Sequence, residues 1–137
     1  MKILIGADPE VFAKVGGDYV SAHNMVPGTK EQPHPVKDGA VQVDGMALEF
    51  NINPAGDEDE FVHNINSVME QLRAMVPEVE LAADAVADFP REYIDAQPEE
   101  ARELGCDPDY NAWKRGRENP VPDVDTPFRT GAGHIHI

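Results

Sequence analysis

Cysteine is almost absent from this sequence, Cys106 being the only one. An intrachain disulfide is therefore impossible, and a zinc site built on several thiolates has no ligands; a reducing, cytosolic setting is expected. Basic residues are scarce as well. Eleven Lys and Arg face 26 Asp and Glu, for a formal net charge of -15, so nucleic acid or an anionic membrane would be repelled over most of the surface. No apolar run approaches the length needed to span a bilayer, and the N-terminus lacks the basic-then-apolar build of a secretory signal. A soluble cytoplasmic protein is expected. With 137 residues the chain has the size of one domain, 1–137, around one core.

Short runs rich in β-formers come first. Lys2 to Ile5 and Val11 to Val15 read as strands separated by Asp8-Pro9-Glu10, Gly16-Gly17-Asp18 as a turn, and Tyr19 to Ala22 as a returning strand. Asn24 to Pro35 holds three prolines and a glycine and reads as loop. Ala40 to Val43 and Met46 to Ile52 then make a hairpin about Asp44-Gly45. Gly56 and Asp57 cap a helix whose acidic first turn complements its dipole. Along it Phe61, Ile65, Val68, Met69, Leu72, Met75 and Val76 recur at helical spacing until Pro77 stops it. This helix is expected over roughly 57–76, with Phe61, Ile65, Val68 and Leu72 packed on the sheet. Val79, Leu81 and Ala83 alternate weakly, as a further strand. Pro90 to Pro127 carries six prolines, a short helix at Glu99 to Leu104 and little else that is periodic: a long ordered excursion. Gly131-Ala132-Gly133 then leads into a final strand, His134 to Ile137. The pattern is that of an α+β fold.

Residues two apart on a strand share a face, so a pair of metal-binding side chains on one strand is spaced i, i+2. Three segments obey that spacing: Asp8 with Glu10, Glu49 with Asn51, and His134 with His136. Taken singly, each has a plainer explanation: a turn with solvated acids, an edge strand with polar residues facing water, a solvent-facing alternation at a chain end. Together, carboxylates mixed with imidazole suit a hard or borderline divalent ion, Mg²⁺ or Mn²⁺. Arg129, just before the glycine-rich turn, is a candidate clamp for phosphate or carboxylate through its planar fork of donors, or else a surface ion pair. Lys114, Arg115 and Arg117 form a small basic cluster, which could greet ATP or an acidic substrate but reads first as a solvated loop.

Gly6-Ala7-Asp8-Pro9-Glu10-Val11-Phe12 resembles the G-x-E-x-E-F strand of glutamine synthetases and glutamate-cysteine ligases, with Asp at the first acidic position. Gly131-Ala132-Gly133-His134-Ile135-His136 resembles their G-x-G-x-H-x-H segment, and Gln42 to Asn51, with Asp44-Gly45 and Glu49-Phe50-Asn51, looks like the acidic strand pair of related carboxylate-amine ligases. In their order the three motifs resemble a phage-encoded amidoligase family. The resemblance implies a curved antiparallel sheet with one main packed helix, holding Mg²⁺ or Mn²⁺ and using ATP to join a small-molecule or peptide carboxylate to an amine. It implies Asp8, Glu10, Glu49 and His134 as metal ligands, Asp44 as a further ligand or the holder of metal-bound water, and His136 near the nucleotide phosphates. No protein nucleophile is implied. Members usually continue past the His-x-His strand, so a partial active site, completed by a second copy or a partner chain, is expected. The alternatives are a virion-associated structural or interaction protein that kept an enzyme-like sheet, and a metal-dependent hydrolase, because the same residues can activate water.

Overall fold

A computed structural model describes residues 2–103, 110–120 and 126–137. They form a mixed α+β structure with antiparallel sheets and three helices. Strand β1 (Gly6–Ala7) lies later than the strand read from Lys2 to Ile5, of which only Ile5 bridges, to Ala55. Ile3 and Leu4 are exposed, because no strand runs beside them to use their apolar faces. After Asp8-Pro9, β2 (Glu10–Val15) forms a hairpin with β3 (Asp18–Val20) through Gly16 and Gly17, both at positive φ.

The proline-rich segment is not loop throughout, since β4 (His34–Val36) pairs with β5 (Gly39–Asp44). Pro35 is tolerated there because β4 is the outermost strand of the order β3-β2-β6-β5-β4, where a missing N–H breaks no ladder on its outer side. The β5–β6 hairpin closes at Asp44 and Ala47, with β6 running Ala47–Ile52. Its central residues are thus Gly45-Met46. Gly45 supplies the positive φ required at the first central position.

Helix α1 (Glu58–Met75) starts on Asp57, whose carboxylate accepts from Glu60 N at 2.9 Å while Glu60 Oε2 accepts from Gly56 N at 2.7 Å. One of the helix's unpaired N-terminal donors, Glu60 N, and the N–H just before its cap are satisfied in this reciprocal way. Val68 and Leu72 are fully buried against β5 and β6, with Phe61, Ile65, Met69 and Met75 around them. The periodicity concealed one member of the packed face, Asn64, which is buried and donates to Asn53 O at 3.0 Å.

Strand β7 (Glu80–Ala82) pairs with β2. Beyond it β8 (Val86–Asp88) pairs with β9 (Phe128–Thr130), and between them lie α2 (Arg91–Asp95), which the pattern did not mark, and α3 (Glu99–Arg102), at the helix expected from Glu99. Leu104, expected to end the helix at 99, and Cys106 lie outside the described residues. These pieces cover the other face of the main sheet with a second cluster, in which Phe12, Met46 and Ala47 meet Ala87, Phe89, Ile94 and Ala101. Phe12 lies edge-on to Phe89, and Phe89 stacks on Tyr93. Finally β10 (Ile135–His136) pairs antiparallel with β1. Among the described residues no helix is long and apolar enough to cross a membrane.

Candidate functional site

Alternation along β6 decides where its polar residues go. Leu48, Phe50 and Ile52 are buried in the cluster beneath α1, which turns Glu49 and Asn51 to the opposite face of the sheet. On β2, Val11 joins the same cluster, so Glu10 shares its face with Phe12. Glu10 and Glu49 are paired in the β2–β6 register, and Gln42 is paired with Glu49 in the β5–β6 register. Directly opposed side chains stand about 5 Å apart at Cβ. Two carboxylates from distant segments therefore face one another across neighbouring strands, and Asp44, two residues beyond Gln42, lies on their face.

The glycine-rich segment brings in the imidazoles. Glu10 N donates to Ala132 O at 2.8 Å and Asp8 N to His134 O at 3.2 Å. In return the two side chains accept from that segment's backbone, Glu10 Oε2 from Ala132 N at 2.7 Å and Asp8 Oδ1 from His134 N at 3.0 Å. His136 Nε2 lies 3.3 Å and His134 Nδ1 3.7 Å from the same Asp8 oxygen. Both rings are about two-thirds exposed. Gly131 and Gly133 permit this approach. A Cβ on Gly131 would meet the Phe12 ring at 2.8 Å, and one on Gly133 would meet Pro9 Cα at 3.1 Å, so both glycines serve close packing of this segment on β1 and β2.

Electrostatic crowding is the outstanding property of the cluster. Burial pushes the Glu49 carboxyl up to about 7, and the negative charges of Asp44, Glu10 and Asp8 push the same way against the hydrogen bond from Gln42. Glu10 is raised too, first by burial and then by Asp44 and Asp8, although the Ala132 N–H and His134 oppose this. Gln42 Nε2 is 2.6 Å from Glu49 Oε2, while Gln42 Oε1 is buried without a partner. The Asp44 side chain is largely buried, with Lys30 Nζ 3.8 Å away. Crowded carboxylates and an idle amide oxygen are hard donors, and they fit a divalent cation such as Mg²⁺ or Mn²⁺ in charge and in donor type. Among the described residues, no three His, Asp or Glu are already gathered in metal-binding geometry.

Asp8, Glu10, Asp44, Glu49, His134 and His136 are thus connected by backbone pairing, hydrogen bonds and mutual charge. Asn51 borders them, lining with Asp8 and His136 a shallow cleft of about 360 Å³. Arg129 is placed differently. It is buried on β9, where Nη1 donates to Thr126 O at 3.0 Å and Phe128 O at 2.9 Å and Nη2 to Arg102 O at 3.3 Å. Its Nε has no partner, and burial lowers its pKa. The guanidinium therefore fastens the end of α3 to the strand that leads into residues 131–136. Gln42 is the site residue that motif reading passed over. Counting back through the hairpin from Asp44 and Ala47 places it opposite Glu49, so the signal was present. No protein-family model matches this chain, and neither the curated proteins nor the solved structures contain a match.

Proposed function

We propose that this chain is an ATP-dependent carboxylate-amine ligase with a glutamine-synthetase-like catalytic sheet. The observation that carries the reading is the meeting of three sequence-distant motifs, with Glu10 opposite Glu49 and both imidazoles of the His-x-His segment beside Asp8. Asp8, Glu10, Glu49 and His134 would hold Mg²⁺ or Mn²⁺, with Asp44 as a further ligand or the holder of bound water. A metal held there supplies charge neutralisation and alignment for in-line phosphoryl transfer.

The residues themselves have distinct tasks. Glu10 and Asp8 are oriented by the Ala132 and His134 N–H groups, Glu49 is oriented by Gln42, and exposed His136 would approach the ATP phosphates. The substrate carboxylate attacks the γ-phosphorus, breaking its bond to the bridging oxygen and releasing ADP. An amine then attacks the acyl carbon of the resulting acyl phosphate, and phosphate leaves as the amide forms. Arg129 holds the approach to the His-x-His strand in place through its bonds to the Thr126, Phe128 and Arg102 carbonyls. Melting with Mg²⁺ or Mn²⁺, together with ADP release over a panel of carboxylates and amines, tests the reading. A saturable metal-dependent rise in Tm is expected, and amide formation, by the chain alone or with a partner chain added, supports the reading. Metal-dependent hydrolysis without amide would convert the assignment to a hydrolase, and no metal effect would leave a structural or interaction protein.

A further inference from the structure

Residues 111–117 form a tight turn closed by its own hydrogen bonds. Asn111 Oδ1 accepts from Trp113 N at 2.9 Å and Lys114 N at 3.0 Å, Asn111 N donates to Arg117 O at 2.8 Å, and Asn111 Nδ2 donates to Asn119 Oδ1 at 2.9 Å. Gly116 takes the positive φ that lets the chain reverse. The side chains displayed are Trp113, Lys114, Arg115 and Arg117, all exposed. Trp113 is the only tryptophan of the sequence and is 93% accessible, a costly position for the largest apolar ring. The three cations ion-pair with none of the described residues, in a chain of net charge -15. Trp and Arg displayed together on one hydrogen-bonded turn have the composition of an interface anchor. Exposed side chains on such a turn can enter a hollow on a partner, whereas small ligands require a hollow to receive them.

A hollow of complementary charge exists on the same molecule. A cavity of about 780 Å³ opens between the 23–31 loop, the β5–β6 turn and α3, and its lining includes Glu31, Asp44, Glu100 and Glu103 together with apolar Met25 and Val26. Lys30 lies 3.8 Å from Asp44, and the acids outnumber it, so the lining keeps negative charge to meet Lys114, Arg115 and Arg117. The volume accommodates an indole with a neighbouring guanidinium, and the Met25 thioether is a favourable neighbour for an aromatic ring. We propose that the 111–117 turn docks in the 23–31/α3 cavity of a second copy of this chain. Two copies can exchange the contact reciprocally about a two-fold axis, and long-range repulsion between them is screened at physiological salt. Because Asp44 belongs both to the cavity and to the carboxylate site, docking brings three cations of one copy beside the acids of the other. The contact itself does not depend on the ligase reading.

Trp113 makes the test specific, since it is the only indole that can report. Emission of the intact chain and its sedimentation mass are followed from about 1 to 100 µM, the range of transient protein contacts. A concentration-dependent blue shift in step with dimer formation is expected. Trp113→Ala should weaken dimerisation by about 30-fold or more, the scale of an interface hot spot. Glu103→Lys should weaken it as well, and adding Arg115→Glu to that variant should restore it. All these positions are exposed, and circular dichroism checks that each variant folds. A constant emission with monomer mass at every concentration overturns the proposal, as does a dimer that survives Trp113→Ala. Quenching of monomeric Trp113 by ATP would assign the turn to a nucleotide and overturn it too.

Discussion

Replacing Glu49 by glutamine removes a charge that the fold holds at a cost. Its carboxyl rises from 4.5 to about 7, and each unit corresponds to about 1.4 kcal/mol, so full transmission would be ~3 kcal/mol. Glu49 is only half-buried and solvent screens part of this, which reduces the expected effect to about 1–2 kcal/mol. The folded state binds the proton more tightly than the unfolded state does, so stability falls as pH rises from about 4.5 to 7 and is then level. The substituted amide keeps an oxygen to accept from Gln42 Nε2 but cannot ionise. In chelator at about pH 8, Glu49→Gln should therefore raise Tm by roughly 3–8 °C, while near pH 4 the two proteins should melt together. Divalent metal should reverse the order: saturating Mg²⁺ or Mn²⁺ stabilises the parent chain, by about 2.7 kcal/mol at a hundredfold excess over Kd, and stabilises the variant less. Thermal melts at three pH values, with chelator and with each metal, measure all of this. A variant less stable than the parent at pH 8 in chelator would refute the reasoning, because Glu49 would then be a structural partner of Gln42 and not a strained ligand.

Gly131→Ala drives a Cβ into the Phe12 ring and should cost about 1–3 kcal/mol of stability, with a weaker metal response because the 131–136 segment shifts away from Asp8 and Glu10; chemical denaturation and metal titration read the two effects. Asp57→Ala removes the N-cap of α1 and should cost about 1 kcal/mol in denaturant melts without altering the metal-induced Tm shift. Asp84 is held below the usual carboxylate range by hydrogen bonds from Lys14 and Tyr19. Its contribution is present above the unfolded pKa of about 3.8 and is lost as pH falls through the lower folded value, so Asp84→Asn should destabilise at neutral pH and converge with the parent in strong acid, as melts across that pH range would show. Leu72→Ala, in the fully buried stripe of α1, should cost about 2–5 kcal/mol by equilibrium unfolding.

What the sequence determined by itself is whatever depends on neighbours a few residues apart. Period-two alternation in Leu48 to Ile52 decides that Glu49 and Asn51 share a face. The 3.6 period from Phe61 to Val76 decides that α1 exists and which side it buries. Asp57 with Glu60 marks where it starts. The motifs at Asp8–Glu10 and His134–His136 were legible as pairs for the same reason. Which pairs meet was decided in three dimensions, because the hydrogen bond between His134 and Asp8 joins residues 126 apart and no local period carries such a partner. Tertiary packing likewise made an edge strand of His34–Val36, paired β8 with β9 across the proline-rich stretch that separates them, and buried Arg129 among main-chain carbonyls. In each case the deciding free energy is the apolar surface removed and the backbone polar groups satisfied by a distant segment, and these quantities exist only once the chain has closed on itself.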